Sequence, residues 1–192
     1  MMVLVIGGSG SGKSAYGEDC ITSLSPGKKK YYLAAMKVFD EEDRQKVDRH
    51  RQMRQGKGFV TIEQTVDIEK ALLRMEPGAR TALVECVSNL TANEMFSEHG
   101  IRQEEDVAEK IADGILKLKK AVDHLVVISG NVFEDGRCYD EGTMAYIRAM
   151  GRINERLARE AERVVEVVVG IPVAIKVSNA HKSLAGILDI HE

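Results

Sequence analysis

"MVLVIGGSGSGKSAYG", residues 2–17, runs from an apolar stretch through a glycine-rich turn into the start of a helix. Gly7, four residues, and then Gly12-Lys13-Ser14 complete the pattern G-x-x-x-x-G-K-[ST]. Each position has a task. The turn from Gly7 through Gly8, Ser9 and Gly10 to Ser11 points successive backbone N–H groups inward around phosphate oxygens. The helix that begins after Gly12 adds the positive end of its dipole. Lys13 places a point charge between the outer phosphates, and the Ser14 hydroxyl ligates Mg²⁺. The stretch predicts a nucleoside triphosphate site. It does not name the reaction, because kinases, ATPases, GTPases and nucleotidyl transferases share the loop. The chain has no NKxD-type guanine-reading motif, which argues against a conventional small GTPase.

Outward from the loop, apolar runs alternate with longer helical patterns. Strands are expected at 2–6, 31–35, 81–86, 124–129, 164–169 and 172–176, with a short one at 59–63. Their apolar residues are continuous where a half-exposed strand would alternate, so both faces of the sheet should be covered, as in parallel sheets. Helices are expected from Gly12 to about Leu24, over 41–54 behind Asp40 as N-cap, from Glu104 to Val122, and over 140–162. Val107, Ile111, Ile115, Leu118 and Val122 fall on one helical face. The result is an α/β fold of the RecA-like P-loop NTPase kind: three layers around a mostly parallel sheet. The last two strands are joined too tightly for a crossover and should form an antiparallel edge hairpin. One domain over 1–176 and a surface tail over 177–192 follow.

The 192 residues carry a net charge of −3, so no global basic field is available for nucleic acid. Charge is uneven, however. Between Arg44 and Gly58 six Lys/Arg face one acid, Asp48. The three cysteines form no CxxC pair, pointing to a reduced compartment without structural zinc. The apolar N-terminus is too short for a signal peptide, and no run reaches membrane-spanning length. A cytoplasmic protein is expected.

Two further features bear on chemistry. The strand "TALVEC" ends on Glu85, an acid where the sheet meets the phosphate loop; such a carboxylate holds Mg²⁺ directly or through water, contacts a nucleotide hydroxyl, or caps a helix. In "KVDRHRQMR" (46–54), Lys46, His50 and Arg54 share one helical stripe. Either the stripe is a solvated basic face, or its cations hold a triphosphate and keep the His50 imidazole neutral, with a lone pair free to attack phosphorus.

Taken together, these blocks resemble the bifunctional adenosylcobinamide kinase / adenosylcobinamide-phosphate guanylyltransferase family of cobalamin biosynthesis. The resemblance runs from Met1 to about Lys176 through "LVIGGSGSGKS", "YYLAAMKVFDEEDRQKVDRHRQMR", "FVTIE", "LVECVSNLTAN", "GRINERLA" and "VVVGIPVAIK". It implies that His50 becomes guanylylated and that Lys13 and its loop hold GTP or ATP with Mg²⁺. It places Ala34, Ala35 and Met36, then Arg51, Arg54 and Glu63, and then Glu85 around the nucleotide. It also implies a corrinoid small-molecule substrate (adenosylcobinamide) and a homotrimer. One segment departs. The family reads "N-E-V-G-x-G-[IL]-V-P" and then "R-x-[FY]-R-D", whereas this chain has "SGNVFEDGRCYDEGTMAYIRAMG", keeping Asn131, Val132, Tyr146 and Arg148. That departure leaves open a kinase of another small alcohol, or a GTP-binding paralogue without turnover.

Overall fold

The computed structural model describes residues 1–37, 41, 44–45, 52, 54, 56–78, 80–97, 100–132, 136–137 and 139–178. His50, Arg51, Lys46, Asp40, Cys138 and the tail beyond Ser178 lie outside them, so the expectations attached to those residues have no structural counterpart here.

Strand β1 (Met2–Gly7) feeds helix α1 (Lys13–Leu24). Strand β2 (Lys30–Ala34) follows, and after the basic stretch comes β3 (Phe59–Glu63). A 3-10 helix (Ile68–Arg74) leads to β4 (Thr81–Glu85) and helix α2 (Val87–Met95). The two-residue strands β5 (Phe96–Ser97) and β6 (Gly100–Ile101) make a small hairpin. Helix α3 (Glu104–Ala121), strand β7 (His124–Gly130), helix α4 (Glu141–Glu160) and strands β8 (Arg163–Val168) and β9 (Ile171–Val177) complete the described elements. The sheet order is β3-β2-β4-β7-β1-β8-β9. Every pairing is parallel except β8 with β9, the expected antiparallel edge hairpin.

Why the strands read as continuous apolar runs is visible in the two cores. Val3, Val5, Leu83, Val126 and Ile128 pack with Tyr16, Cys20 and Ile21 of α1. Their neighbours Leu4, Leu33, Val84, Leu125 and Val127 pack on the opposite face with α2, α3 and α4. A strand's side chains alternate sides, and here both sides are covered. The α3 stripe is buried along its whole length, from Val107 at 1% exposure to Val122 at 9%. Burying each such side chain contributes roughly 1.5–3 kcal/mol. Acids in the first turn of α3 (Glu104, Glu105, Asp106) and Lys119 and Lys120 in its last complement the helix dipole.

Several boundaries move. β2 begins one residue earlier than expected, at Lys30, and ends at Ala34. β4 stops at Glu85, before Cys86. β8 spans Arg163–Val168, and β9 is longer at both ends than 172–176. Three elements are additional: α2, the 3-10 helix and the β5–β6 hairpin. α2 has nine residues and no side-chain cap, so its short sequence reads as a loop block after β4.

Candidate functional site

The C-terminal ends of the parallel strands form one edge, and pairing register brings the chemistry to it. Gly7 is level with Gly130, and Ala34 with both Glu63 and Glu85. In open α/β sheets this edge is where ligands bind.

The phosphate loop sits at its centre. Gly12 has φ 92° and Gly10 φ 72°, left-handed values that glycine takes without strain. Gly7 is needed for a different reason. A Cβ there would lie 2.7 Å from the Val167 carbonyl oxygen and 2.5 Å from Ser11 Oγ. The loop is pinned through its backbone on both sides. The Asn131 N–H donates to the Gly7 carbonyl (3.0 Å), and the Gly170 N–H at the β8–β9 turn donates to the Ser11 carbonyl (2.8 Å). Lys13 Nζ folds back over the loop to donate to the Gly8 carbonyl at 3.0 Å.

β7 lies between β1 and β4, yet the first turn of α1 reaches across it. Ser14 Oγ donates to Glu85 Oε1 at 2.7 Å. Glu85 Oε2 is buried and has no partner among the described residues. Burial pushes this carboxyl up to about 7, against the Ser14 hydrogen bond and the charge of Lys13, which pull it down. A hydroxyl and a half-satisfied carboxylate beside a phosphate loop form an oxygen donor set that suits Mg²⁺. The Glu85–Cys86 peptide is cis. Burial raises the Cys86 thiol pKa, so it is not poised as a nucleophile.

The other expected residues are distributed as follows. Ala34 ends β2; the Ala35 N–H donates to the Glu85 carbonyl at 2.9 Å, and Met36 is half-buried beyond it. Glu63 is exposed at the end of β3. Arg54 was expected on the phosphates. Here it is buried, its guanidinium carbon 3.5 Å from the Tyr32 ring centroid and its Nη1 3.9 Å from Glu18 Oε1. Of the departing segment, Tyr146 turns inward: its hydroxyl donates to the Ser88 carbonyl (3.3 Å) and its ring stacks on Phe96 (6.5 Å, 29°). Arg148 instead pairs with Glu104 of α3 and, within its own helix, with Glu141.

Two contributors were not singled out from sequence. Asn93 on α2 donates to the carbonyls of both Ala35 (2.8 Å) and Thr65 (2.9 Å), tying together the loops that leave β2 and β3. Its only signal was the last position of the "LVECVSNLTAN" block. Glu18 is 2% exposed and accepts from Lys57 Nζ at 3.0 Å. Its signal was an acid four residues after Ser14, hence on the same helical face.

The sequence matches the model of the cobinamide kinase / cobinamide phosphate guanyltransferase family over residues 3–175. It is 27% identical over 186 residues to the bifunctional adenosylcobalamin biosynthesis protein CobU of Escherichia coli K12, covering 92% of this chain and all of that protein. It is 28% identical over 185 residues to the protein of the same name from Salmonella typhimurium LT2, again covering 92% of this chain and all of the relative. Among solved structures, a KaiC-like protein from Pyrococcus horikoshii OT3 aligns over 86% of this chain and 69% of its own, with TM-score 0.49 and 14% identity.

Proposed function

Because this chain belongs to the cobinamide kinase / cobinamide phosphate guanyltransferase family, and is thus a nucleotide-dependent kinase and transferase of cobalamin biosynthesis, we propose that its single phosphate loop serves two successive reactions on adenosylcobinamide. In the first, the aminopropanol hydroxyl attacks the γ-phosphorus of ATP or GTP. An O–P bond forms, the hydroxyl proton passes to solvent, the bond to the bridging oxygen breaks, and the nucleoside diphosphate leaves. In the second, an imidazole nitrogen of His50 attacks the α-phosphorus of GTP. An N–P bond forms as pyrophosphate departs. A phosphate oxygen of adenosylcobinamide phosphate then displaces His50, which recovers its lone pair, and GMP is carried to the acceptor.

The observation that carries this reading is the Ser14–Glu85 pair at 2.7 Å, set in the first turn of the helix behind a complete phosphate loop. When bound, Mg²⁺ would neutralise charge on the outer phosphates, held by the Ser14 hydroxyl and the Glu85 carboxylate. Lys13 holds the same phosphates once it leaves the Gly8 carbonyl. Ala34, Ala35, Met36, Arg51, Arg54, Glu63 and Glu85 are the proposed nucleotide contacts around them; Arg54 would have to leave Glu18 and Tyr32 to reach the phosphates. A homotrimer is part of the same proposal. Its support is the apolar edge strand β9, which leaves Ile171 and Ile175 62% and 61% exposed, a surface that assembly would cover.

Incubation with α-labelled GTP and Mg²⁺ tests the covalent step. Acid-labile label should appear on the protein and vanish in His50→Ala. Folded protein that binds GTP but takes no label would remove the guanylyl-histidine step. γ-Phosphate transfer that survives His50→Ala, with no label on the parent, would favour the simple kinase.

A further inference from the structure

We propose that Val169, at the tip of the β8–β9 turn, is a nucleotide-binding residue: its side chain forms an apolar rest for the purine base of the triphosphate held in the phosphate loop. The inference rests on the reading that the loop takes a nucleoside triphosphate.

β8 runs parallel to β1, so the turn that follows it comes out at the same carboxyl edge as the phosphate loop. The two are in contact. The Gly170 N–H donates to the Ser11 carbonyl at 2.8 Å, and a Cβ on Gly12 would lie 3.4 Å from the Gly170 Cα. Val169 precedes Gly170, so its Cα stands about 3.8 Å from one that already touches the loop.

Sheet order gives the direction in which a bound nucleotide extends. β7 and β4 lie on one side of β1, and β8 and β9 on the other. Ser14 and Glu85 mark the β4 side as the place for a metal that bridges the two outer phosphates. The α-phosphate and the nucleoside beyond it then point away from Glu85, toward β8 and β9. A second exposed apolar pair, Phe96 and Ile101, stands in the hairpin after α2, the helix that leaves β4, and so belongs to the metal side.

Val169 does not serve the turn it sits in. Val168 pairs with Ile171, so the turn between them has two residues, and both have left-handed φ, 45° at Val169 and 85° at Gly170. Turns of that kind favour Asn-Gly. A β-branched residue is strained there, and at 84% exposure Val169 gains no burial in return. Strain of this sort collects where ligands are held. A base one ribose away from the α-phosphate offers the flat, weakly hydrated face that the side chain otherwise lacks. Valine has no hydrogen-bonding group, so the contact would hold guanine and adenine alike. Ile171 continues into the β9 edge that assembly would cover and is not part of the rest.

Val169→Asn and Val169→Gly both accept the left-handed turn and remove the methyl groups. Calorimetry with GTP, with ATP and with inorganic tripolyphosphate as a probe without a base, each with Mg²⁺, reads the contact. In both variants the dissociation constants for GTP and ATP should rise about 5- to 20-fold, while that for tripolyphosphate stays within about twofold of the parent's. Val169→Ile should bind all three as the parent does. Nucleotide-free Val169→Asn should melt higher than the parent, because the strain goes and no packing is lost. Unchanged GTP affinity in a folded Val169→Asn overturns the proposal. So does an equal loss for tripolyphosphate, which would show that the turn acts only by shaping the loop. A variant that melts lower or changes its state of assembly overturns it too, since the side chain would then pack against protein. A parent that binds neither tripolyphosphate nor GTP overturns the phosphate-loop reading itself, and this proposal with it.

Discussion

Two successive turns of α1 hold their partners by different means. The first, at Lys13 and Ser14, belongs to a loop shaped by main chain: left-handed glycines, carbonyls of Gly7 and Ser11 capped from β7 and the β8–β9 turn, and a position at Gly7 with no room for a Cβ. The second, at Glu18, holds a remote segment by buried side-chain charge. A backbone cradle keeps its shape when one side chain changes. A buried charge pair is less tolerant: losing Glu18 would leave Arg54, 5% exposed, without the acid beside it, although Lys57 at 38% exposure still meets water. The two turns can therefore fail separately.

The largest expected effect lies in the first turn. Lys13→Ala should lower kcat/KM for both half-reactions about 100-fold or more while the fold persists, because among the described residues its Nζ bonds one carbonyl, that of Gly8 in the loop itself. Equal losses in both would show one shared phosphate site; loss in one alone would break the comparison by requiring a second.

Next comes the acid between the turns. The Glu85 carboxyl is raised to about 7 from 4.5, so the fold favours its protonated form. The direction follows from linkage: the contribution is fully present below about pH 4.5 and is lost as pH rises through 7. Nucleotide-free Glu85→Gln should match the parent near pH 4.5 and exceed it in denaturant stability at pH 8, by on the order of 1–3 kcal/mol. A constant difference across that range would place the strain elsewhere.

The smallest effect should come from a charged cluster whose ion pairs involve neither turn. Asp67 accepts from Lys110 and Lys70, which hold its carboxyl near 2; Lys110 also meets the buried Glu94. A lowered carboxyl contributes stability above its unfolded value of 3.8 that disappears as pH falls through 2. Asp67→Asn should cost about 1–2 kcal/mol at pH 7, discounted for its partial exposure, and leave labelling unchanged. If labelling fell as well, loss of buried charge would reach the reaction through general stability.

Much of this was legible beforehand. Strand, loop and first helix lie within residues 2–24, where spacing along the chain is spacing in space. The edge hairpin followed from the shortness of its turn. The acid at the end of β4 was readable too, but its bond to Ser14 was not, because β7, contributed from forty residues later, separates the two strands. α2 and Asn93 escaped notice because nine residues carry little periodicity. Glu18 looked like any polar position on a helix of mixed character; the tertiary structure sets Lys57 and Arg54 against it, with Arg54 over Tyr32.

By itself the sequence determined what is local: a phosphate loop, two-sided strands, helix ends placed by charge, and a family signature ordered along the chain. The tertiary structure decided which face of α1 meets which distant group. That Ser14 pairs with Glu85 and Glu18 with Lys57 depends on strand order and on burial, and both are collective. Whether a carboxylate sits in water or against a guanidinium is set by everything packed around it, and no window of sequence contains that.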